Sequence, residues 1–217
     1  MTVDISKLRK EYTSTGLHSK EMSGDPIVQF ETWFKQACEA EMAQPDAMVV
    51  STVDEQGHPA SRTVLLKSFD QQGLVFYTNY HSNKAQHIAK NHYVSALFLW
   101  PDLERQIQIR GTAEKISTAE SLKYFLTRPR GSQLGAWCSP QSSVIGSRQI
   151  LEQKLAEVKN KFLNKEIPLP DFWGGYRITP HSFEFWQGRQ SRLNDRFLYE
   201  RDNENKHDQW NLKRIAP

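Results

Sequence analysis

The chain is poor in the features that announce the commonest chemistries. It has two cysteines, Cys38 and Cys138, far apart in the sequence. Such a pair forms neither a disulfide framework nor a zinc-ligand spacing, and points to reduced thiols in a cytoplasmic protein. Its seven histidines show no ligand pattern; His87 and His92 fall on different helical faces, so no metal site is expected. There is no Gly-x-Gly-x-x-Gly, no Gly-Lys-Ser/Thr phosphate loop and no Gly-x-Ser-x-Gly elbow, which disfavours dinucleotide, P-loop and serine-hydrolase chemistry. No apolar run approaches the ~20 residues that span a bilayer. Lys7, Arg9, Lys10 and Glu11 are not followed by an apolar stretch, so neither export nor membrane anchoring is expected. Charge of one sign is scarce: 28 Lys and Arg against 25 Asp and Glu leave +3. That balance suits phosphorylated small molecules and is too weak to argue for nucleic acid.

What is present is an ordinary globular composition over 217 residues, enough for one domain with a sizeable core. Ile5, Leu8 and Tyr12 have helical spacing, and a short helix is expected over 5–12. Residues 13–24 form a polar, glycine-punctuated arm. Asp25-Pro26 reads as an N-cap and first-turn proline, opening a helix with Phe30, Trp33, Phe34, Ala37, Cys38 and Met42 on one stripe. Strands are expected at 48–53, 61–69 and 74–78, separated by two Asp-x-x-Gly turns in the manner of an antiparallel meander. Ser82 caps a helix to about Lys90. Strands over 94–100 and 105–116 follow, then a capping box at Ser117 to Glu120 with a helix to about Thr127. Arg128 to Gly131 breaks that helix, and a long helix covers 147–162. The C-terminal part returns to strands at 175–178, 182–187, 196–199 and 210–213. This pattern predicts an α+β fold around a mostly antiparallel sheet or barrel with flanking helices.

Four polar clusters stand out. The first is Arg62-Thr63-Val64-Leu65-Leu66-Lys67, an apolar run with a cation at each end. As one strand it points Arg62 and Lys67 to opposite faces, offering two cations to two anionic groups. The second, Tyr77-Thr78 with Ser82-Asn83-Lys84, sets hydroxyls and a cation at a strand-to-helix junction, where free helix N–H groups suit a phosphate. The third is Tyr124, Arg128 and Ser132, a phenol, a guanidinium and a hydroxyl around a helix end. The fourth, Trp186 to Arg196, crowds three arginines after a strand-closing aromatic, a costly arrangement unless anions or Asp195 offset them. Taken singly, each is equally a capped strand, a capped helix, a dipole-matched helix end or a solvated hairpin. Together they point to two bound phosphorylated molecules, one of them bulky.

At these residues the chain strongly resembles the pyridoxamine 5′-phosphate oxidase family of FMN enzymes. The most telling stretches are Arg62 to Lys67, Val75-Phe76-Tyr77-Thr78-Asn79, Gln141-Ser142-Ser143, Pro168 to Gly175, Phe185 to Gly188 and Arg192-Leu193-Asn194-Asp195-Arg196-Phe197. The resemblance implies an FMN-binding split β-barrel at 25–217, preceded by an arm and lid at 1–24, working as a homodimer with FMN at the subunit interface. It implies that Arg62, Thr63, Val64, Leu65, Leu66, Lys67, Tyr77, Thr78, Asn83, Lys84, Gln106, Gln141, Ser142, Trp186 and Arg196 hold FMN. It implies that Lys67, Tyr124, Arg128 and Ser132 grip the substrate phosphate, that Arg192, Leu193 and Asn194 meet the substrate ring, and that Arg9, Lys10, Glu11 and Tyr12 fold over the site. Arg192 and Tyr12 are the implied catalytic groups. The implied reaction is oxidation of pyridoxamine or pyridoxine 5′-phosphate by O2, with a phenazine-type substrate as the alternative within the fold. A non-catalytic binding module that carries a flavin or pyridoxal phosphate and a basic RNA-binding protein are the alternatives from other classes.

Two positions depart from the family pattern. Members commonly carry Arg where this chain has Asn83, and His where it has Asn194. Asparagine keeps hydrogen-bonding capacity but does not titrate near neutral pH.

Overall fold

The computed structural model describes residues 11–14, 16–201 and 209–217. Arg9, Lys10 and most of the helix expected over 5–12 lie outside the described residues, and Glu11 and Tyr12 are not helical. In chain order the elements are α1 (Pro26–Glu39), β1 (Ala47–Val53), β2 (Pro59–Leu65), β3 (Ser68–Asp70), β4 (Gly73–Asn79), α2 (Asn83–Lys90), β5 (Tyr93–Trp100) and β6 (Arg105–Lys115). Then come α3 (Thr118–Thr127), α4 (Arg130–Cys138), α5 (Arg148–Lys161), β7 (Trp173–Gln187), β8 (Asp195–Arg201) and β9 (Trp210–Ile215). The strands join in the order β2-β1-β5-β6-β7-β4-β3, with β8 on β7 and β9 on β8. Pairing of β3 with β4, β4 with β7, β7 with β8 and β8 with β9 is antiparallel. The fold class is α+β, as the strand and helix pattern predicted.

Local chemistry explains most boundaries. The Asp25 carboxylate accepts the Ile27 N–H at 2.7 Å, and Pro26 needs no donor in the first turn, so α1 starts there. Ser117 and Glu120 close a reciprocal capping box at the start of α3. Three expectations are corrected. The strand expected over 61–69 breaks at Leu66 and Lys67, where Leu66 turns into the core and the Lys67 N–H bonds the Val75 carbonyl at 2.9 Å. Arg130 and Gly131, read as part of a break, instead open α4, which runs to Cys138. The strands expected at 175–178 and 182–187 are one strand, β7.

The described chain forms two compact units. One comprises residues up to Val49, Ser95–Arg110 and Pro180–Pro217. Its core is aromatic: Trp33 meets Phe185 edge to face at 5.2 Å, Phe30 meets Phe98 at 5.1 Å, and Phe183, Phe197 and Tyr199 are fully buried or nearly so. The other comprises Val50–Val94 and Gly111–Thr179. There Phe76 stacks on Tyr176, and Phe125, Leu134, Ala136, Phe162, Ile167 and Trp173 make a second apolar cluster. That cluster fixes the α3–α4 junction, where Arg128 sits.

Candidate active site

The unit containing Val50–Val94 and Gly111–Thr179 holds a cleft of about 560 Å³, within the size range of small-molecule sites. Among the described residues, four cations line it, Arg62, Lys67, Lys84 and Arg128, and no carboxylate does. Arg62 and Lys67, the two cations expected to serve two anionic groups, both line it, together with Thr63, Val64 and Leu65 between them.

Lys84, in the first turn of α2, is only 9% exposed. Its ammonium donates to Gln141 Oε1 at 3.0 Å, Thr78 Oγ1 at 3.1 Å and Ser82 Oγ at 3.4 Å. All three acceptors are neutral. Burial, and next the Arg62 charge, push its pKa down to about 8. Ser82 is the N-cap of α2, yet its hydroxyl makes no cap bond to the helix. Its hydroxyl is fully buried and lies 3.5 Å from that of Thr78, which also donates to Gln141 Oε1 at 2.8 Å. Arg62 donates to the Val50 carbonyl and to Thr52 Oγ1, each at 2.9 Å, and burial lowers its pKa.

Arg128 is the C-cap of α3, followed by Pro129 at the N-cap of α4. Its guanidinium lies over the Trp173 ring at 4.5 Å, a cation–π contact. Burial lowers its pKa, with Tyr124 opposing. Among the described residues, its Nη1 is the buried side-chain nitrogen or oxygen atom without a hydrogen-bond partner. A buried donor costs about 1–3 kcal/mol unless it is hydrogen-bonded. Tyr77, Tyr124 and Trp173 form one stacked cluster, with Tyr77 3.9 Å from Tyr124 and 5.3 Å from Trp173 and the latter two 6.3 Å apart. Burial, and next Tyr124, push the Tyr77 phenol up to about 12, so it stays a neutral donor. Ser132 lies in the first turn of α4 and completes that wall.

The cleft thus gathers Arg62, Thr63, Val64, Leu65, Lys67, Tyr77, Thr78, Lys84, Tyr124, Arg128, Ser132 and Gln141 of the residues singled out from the sequence. Leu66 is buried, Asn83 lines a separate groove, and Ser142 is exposed at a backbone φ of 73°. Trp173 was not singled out by itself. Its signal was the Trp-Gly-Gly run: a Cβ on Gly174 meets Tyr80 Oη at 2.1 Å, and one on Gly175 meets Ile116 at 2.5 Å, so that backbone packs tightly against side chains.

The remaining predicted residues belong to the other unit. Trp186 faces Arg196 across the β7–β8 ladder, and Arg196 donates to Glu184 at 2.8 Å. Gln106 is half-buried on β6, while Glu11, Arg192 and Leu193 are exposed. Ser191 and Arg192 have successive left-handed φ of 55° and 62°, uncommon for such residues and characteristic of functional turns. Asn194 accepts the Arg189 N–H at 3.0 Å, and Tyr12 meets Trp186 edge to face at 5.5 Å.

Residues 34–162 match the family model described as pyridoxamine 5′-phosphate oxidase. Residues 173–217 match the model described as the pyridoxine 5′-phosphate oxidase C-terminal dimerisation region. The chain is 61% identical over 215 residues to the pyridoxine/pyridoxamine 5′-phosphate oxidase of Rippkaea orientalis, covering 99% of this chain and all of that one. It is 54% identical to that of Escherichia fergusonii, covering 98% and 96%. Among solved structures, PhzG from Burkholderia lata in complex with tetrahydrophenazine-1-carboxylic acid superposes with a TM-score of 0.86 at 28% identity, covering 94% of this chain and 98% of that one. A pyridoxamine 5′-phosphate oxidase-related, FMN-binding protein from Nostoc punctiforme shares the fold at a TM-score of 0.70 and 19% identity, covering 90% and 100%. With two family models spanning most of its length and near-complete relatives above half identity, the chain belongs to the pyridoxine/pyridoxamine 5′-phosphate oxidase family.

Proposed function

We propose that the protein binds FMN and oxidises pyridoxamine and pyridoxine 5′-phosphate to pyridoxal 5′-phosphate, using O2 and releasing hydrogen peroxide. The observation that carries this reading is the cleft lined by Arg62, Lys67, Lys84 and Arg128, with no carboxylate in its lining and no partner for the buried Arg128 Nη1 among the described residues. The cations fall into two separately wired sets. Lys84 and Arg62 interact with each other, while Arg128 is held by Trp173 and Tyr124. Two sets fit two phosphoesters. In this reading Arg62, Thr63, Val64, Leu65, Tyr77, Thr78, Lys84 and Gln141 hold FMN, and Lys67, Tyr124, Arg128 and Ser132 hold the substrate phosphate.

The redox chemistry, hydride removal from the substrate 4′ carbon and delivery of electrons to O2, is supplied by FMN when bound. The chain's residues position the substrate. A phosphate clamp remote from the reacting carbon converts binding energy into orientation. Lys67 acts as an ionic anchor, not as a Schiff-base amine. Arg192, Leu193, Asn194 and Tyr12 cover the substrate ring, and Gln106, Trp186 and Arg196 meet FMN. The match of 173–217 to a dimerisation region supports a homodimer. We extend that to a site completed by the partner subunit. Among the described residues no helix is long and apolar enough to cross a membrane.

The likeness to PhzG favours a second reading, oxidation of a phenazine-type ring. It leaves the unpartnered Arg128 Nη1 without a phosphate to bind. Purified protein is expected to be yellow, and its flavin absorbance should bleach when pyridoxamine 5′-phosphate is added without oxygen. A protein that cannot be reconstituted with FMN, or a flavin bleached by a dihydrophenazine and not by either vitamer, defeats the first reading.

A further inference from the structure

Two residues outside the cleft connect its cations. Thr52 lies on β1 with 0% exposure, and its hydroxyl meets Arg62 Nη1 at 2.9 Å and His87 Nδ1 at 3.0 Å. Counting donors fixes the directions. A guanidinium only donates, so Thr52 Oγ1 accepts from Arg62. The hydroxyl hydrogen, buried with the side chain, then needs an acceptor of its own. His87 Nδ1 is within reach and accepts only when it carries no hydrogen, so the wiring selects the Nε2–H tautomer of His87. The same Arg62 nitrogen also donates to the Val50 carbonyl at 2.9 Å, which holds the guanidinium at two points on β1.

His87 belongs to α2, the helix whose first turn carries Lys84. The Thr52–His87 bond therefore ties β1, which accepts both bonds from the Arg62 guanidinium, to α2, which carries Lys84. Arg62 and Lys84 repel each other, and no carboxylate lining the cleft stands between them. Without a cross-link, the low-energy response of two such cations is to separate. Neither Thr52 nor His87 lines the cleft, so neither acts on a ligand directly.

We propose that Thr52 and His87 are positioning residues that set the spacing of Arg62 and Lys84, and thereby the grip of the protein on the FMN phosphate. The inference rests on the reading of this cleft as an FMN site. It separates the phosphate contact from the rest of the flavin, and that separation makes it testable. FMN and riboflavin, which lacks the phosphate, are titrated by quenching of flavin fluorescence against wild type, Thr52→Val, Thr52→Ser and His87→Ala. Thr52→Val keeps the shape and removes the hydroxyl. It is expected to weaken FMN about tenfold, the scale of one lost hydrogen bond to a charged group, and to leave riboflavin unchanged. His87→Ala should shift FMN in the same direction, and Thr52→Ser should stay near wild type. An unchanged FMN affinity in Thr52→Val, or an equal loss of both flavins, overturns the proposal. The second readout needs no fragile variant. In 15N-histidine spectra of the wild-type protein, the ring signals lost in His87→Ala should show the Nε2–H tautomer. An Nδ1–H tautomer overturns the wiring whatever the titrations show. A wild-type protein that binds neither flavin overturns the FMN reading itself, and the proposal with it, and leaves the tautomer result as a separate fact about the fold.

Discussion

Arg128 and Lys84 are both charged groups in surroundings that disfavour charge, and each makes a prediction at the scale of one side chain. Arg128 has a buried Nη1 with no partner among the described residues, a donor suited to a phosphate and costly to bury without one. Arg128→Met fills similar space without the charge. It should raise the melting temperature of ligand-free protein and raise KM for the phosphorylated substrate roughly tenfold to a hundredfold, since a hydrogen bond to a charged group contributes about 1.5–3 kcal/mol. Thermal unfolding and steady-state kinetics on one preparation check both, and a lowered melting temperature with unchanged KM contradicts them. Lys84 predicts a pH dependence. Its pKa is about 8 in the folded protein against an ordinary 10.5. Between those values the unfolded chain holds the extra proton, so ligand-free stability rises with pH across that window. A bound phosphate favours the ammonium, so FMN binding should take up a proton and weaken as pH rises through about 8. Calorimetric titration in buffers of different ionisation enthalpy measures the uptake, and Lys84→Met should abolish it.

At the scale of elements, Thr13, Ser14 and Leu17 are held by two buried carboxylates. Glu104 accepts the Thr13 and Ser14 N–H groups at 2.9 and 3.1 Å. Asp195 accepts the Leu17 N–H at 2.9 Å and guanidinium bonds from Arg189 and Arg214. Burial alone would raise the Asp195 pKa, but these donors outweigh it and hold the carboxyl below its ordinary value. A depressed carboxylate contributes stability above that ordinary value and loses it as pH falls further. Asp195→Ala should therefore cost about 1–3 kcal/mol near neutral pH and open the chain to protease near Gly16. Mass-spectrometric mapping of limited digests checks this, and an unchanged cleavage pattern contradicts it. Gly16 has a φ of 92°, and a Cβ there meets Arg189 Nη1 at 2.0 Å, so Gly16→Ala should act in the same direction. None of this docking was legible in the sequence, because Glu104 and Asp195 lie far from the segment they hold. What was legible was local: the Asp25 cap, the Ser117 box, the Asp-x-x-Gly turns. Helix α4 was missed because Pro129, Gly131 and Gly135 resemble a break, whereas Leu134 and Ala136 stabilise it by packing onto Phe125 and Trp173. Strand β7 was read as two because Pro180 interrupts it. Its ladder to β4 is registered as far as Ile178, and its ladder to β8 starts at Ser182, so the missing N–H falls between the two registers.

At the scale of the molecule, the cation clusters were readable from residue types, and their division between units was not. Lys84 and Arg128 lie in one unit, Arg192 and Trp186 in the other. If each site takes its cleft from one chain and Arg192 from the partner, two inactive proteins can repair each other. Arg128→Met removes the clamp's charge while filling similar space, and Arg192→Ala removes an exposed side chain, so neither should disturb folding much. Unfolded and refolded together in equal amounts, such chains pair at random in a twofold dimer, so about half the dimers are mixed. In a mixed dimer one site carries both lesions and the other carries neither. Activity should return to about a quarter of the wild-type value, well above the sum of the two variants refolded apart. A site built within one chain predicts no return, because every chain in the mixture bears a lesion. The ratio therefore distinguishes a shared site from a private one without a structure of the complex.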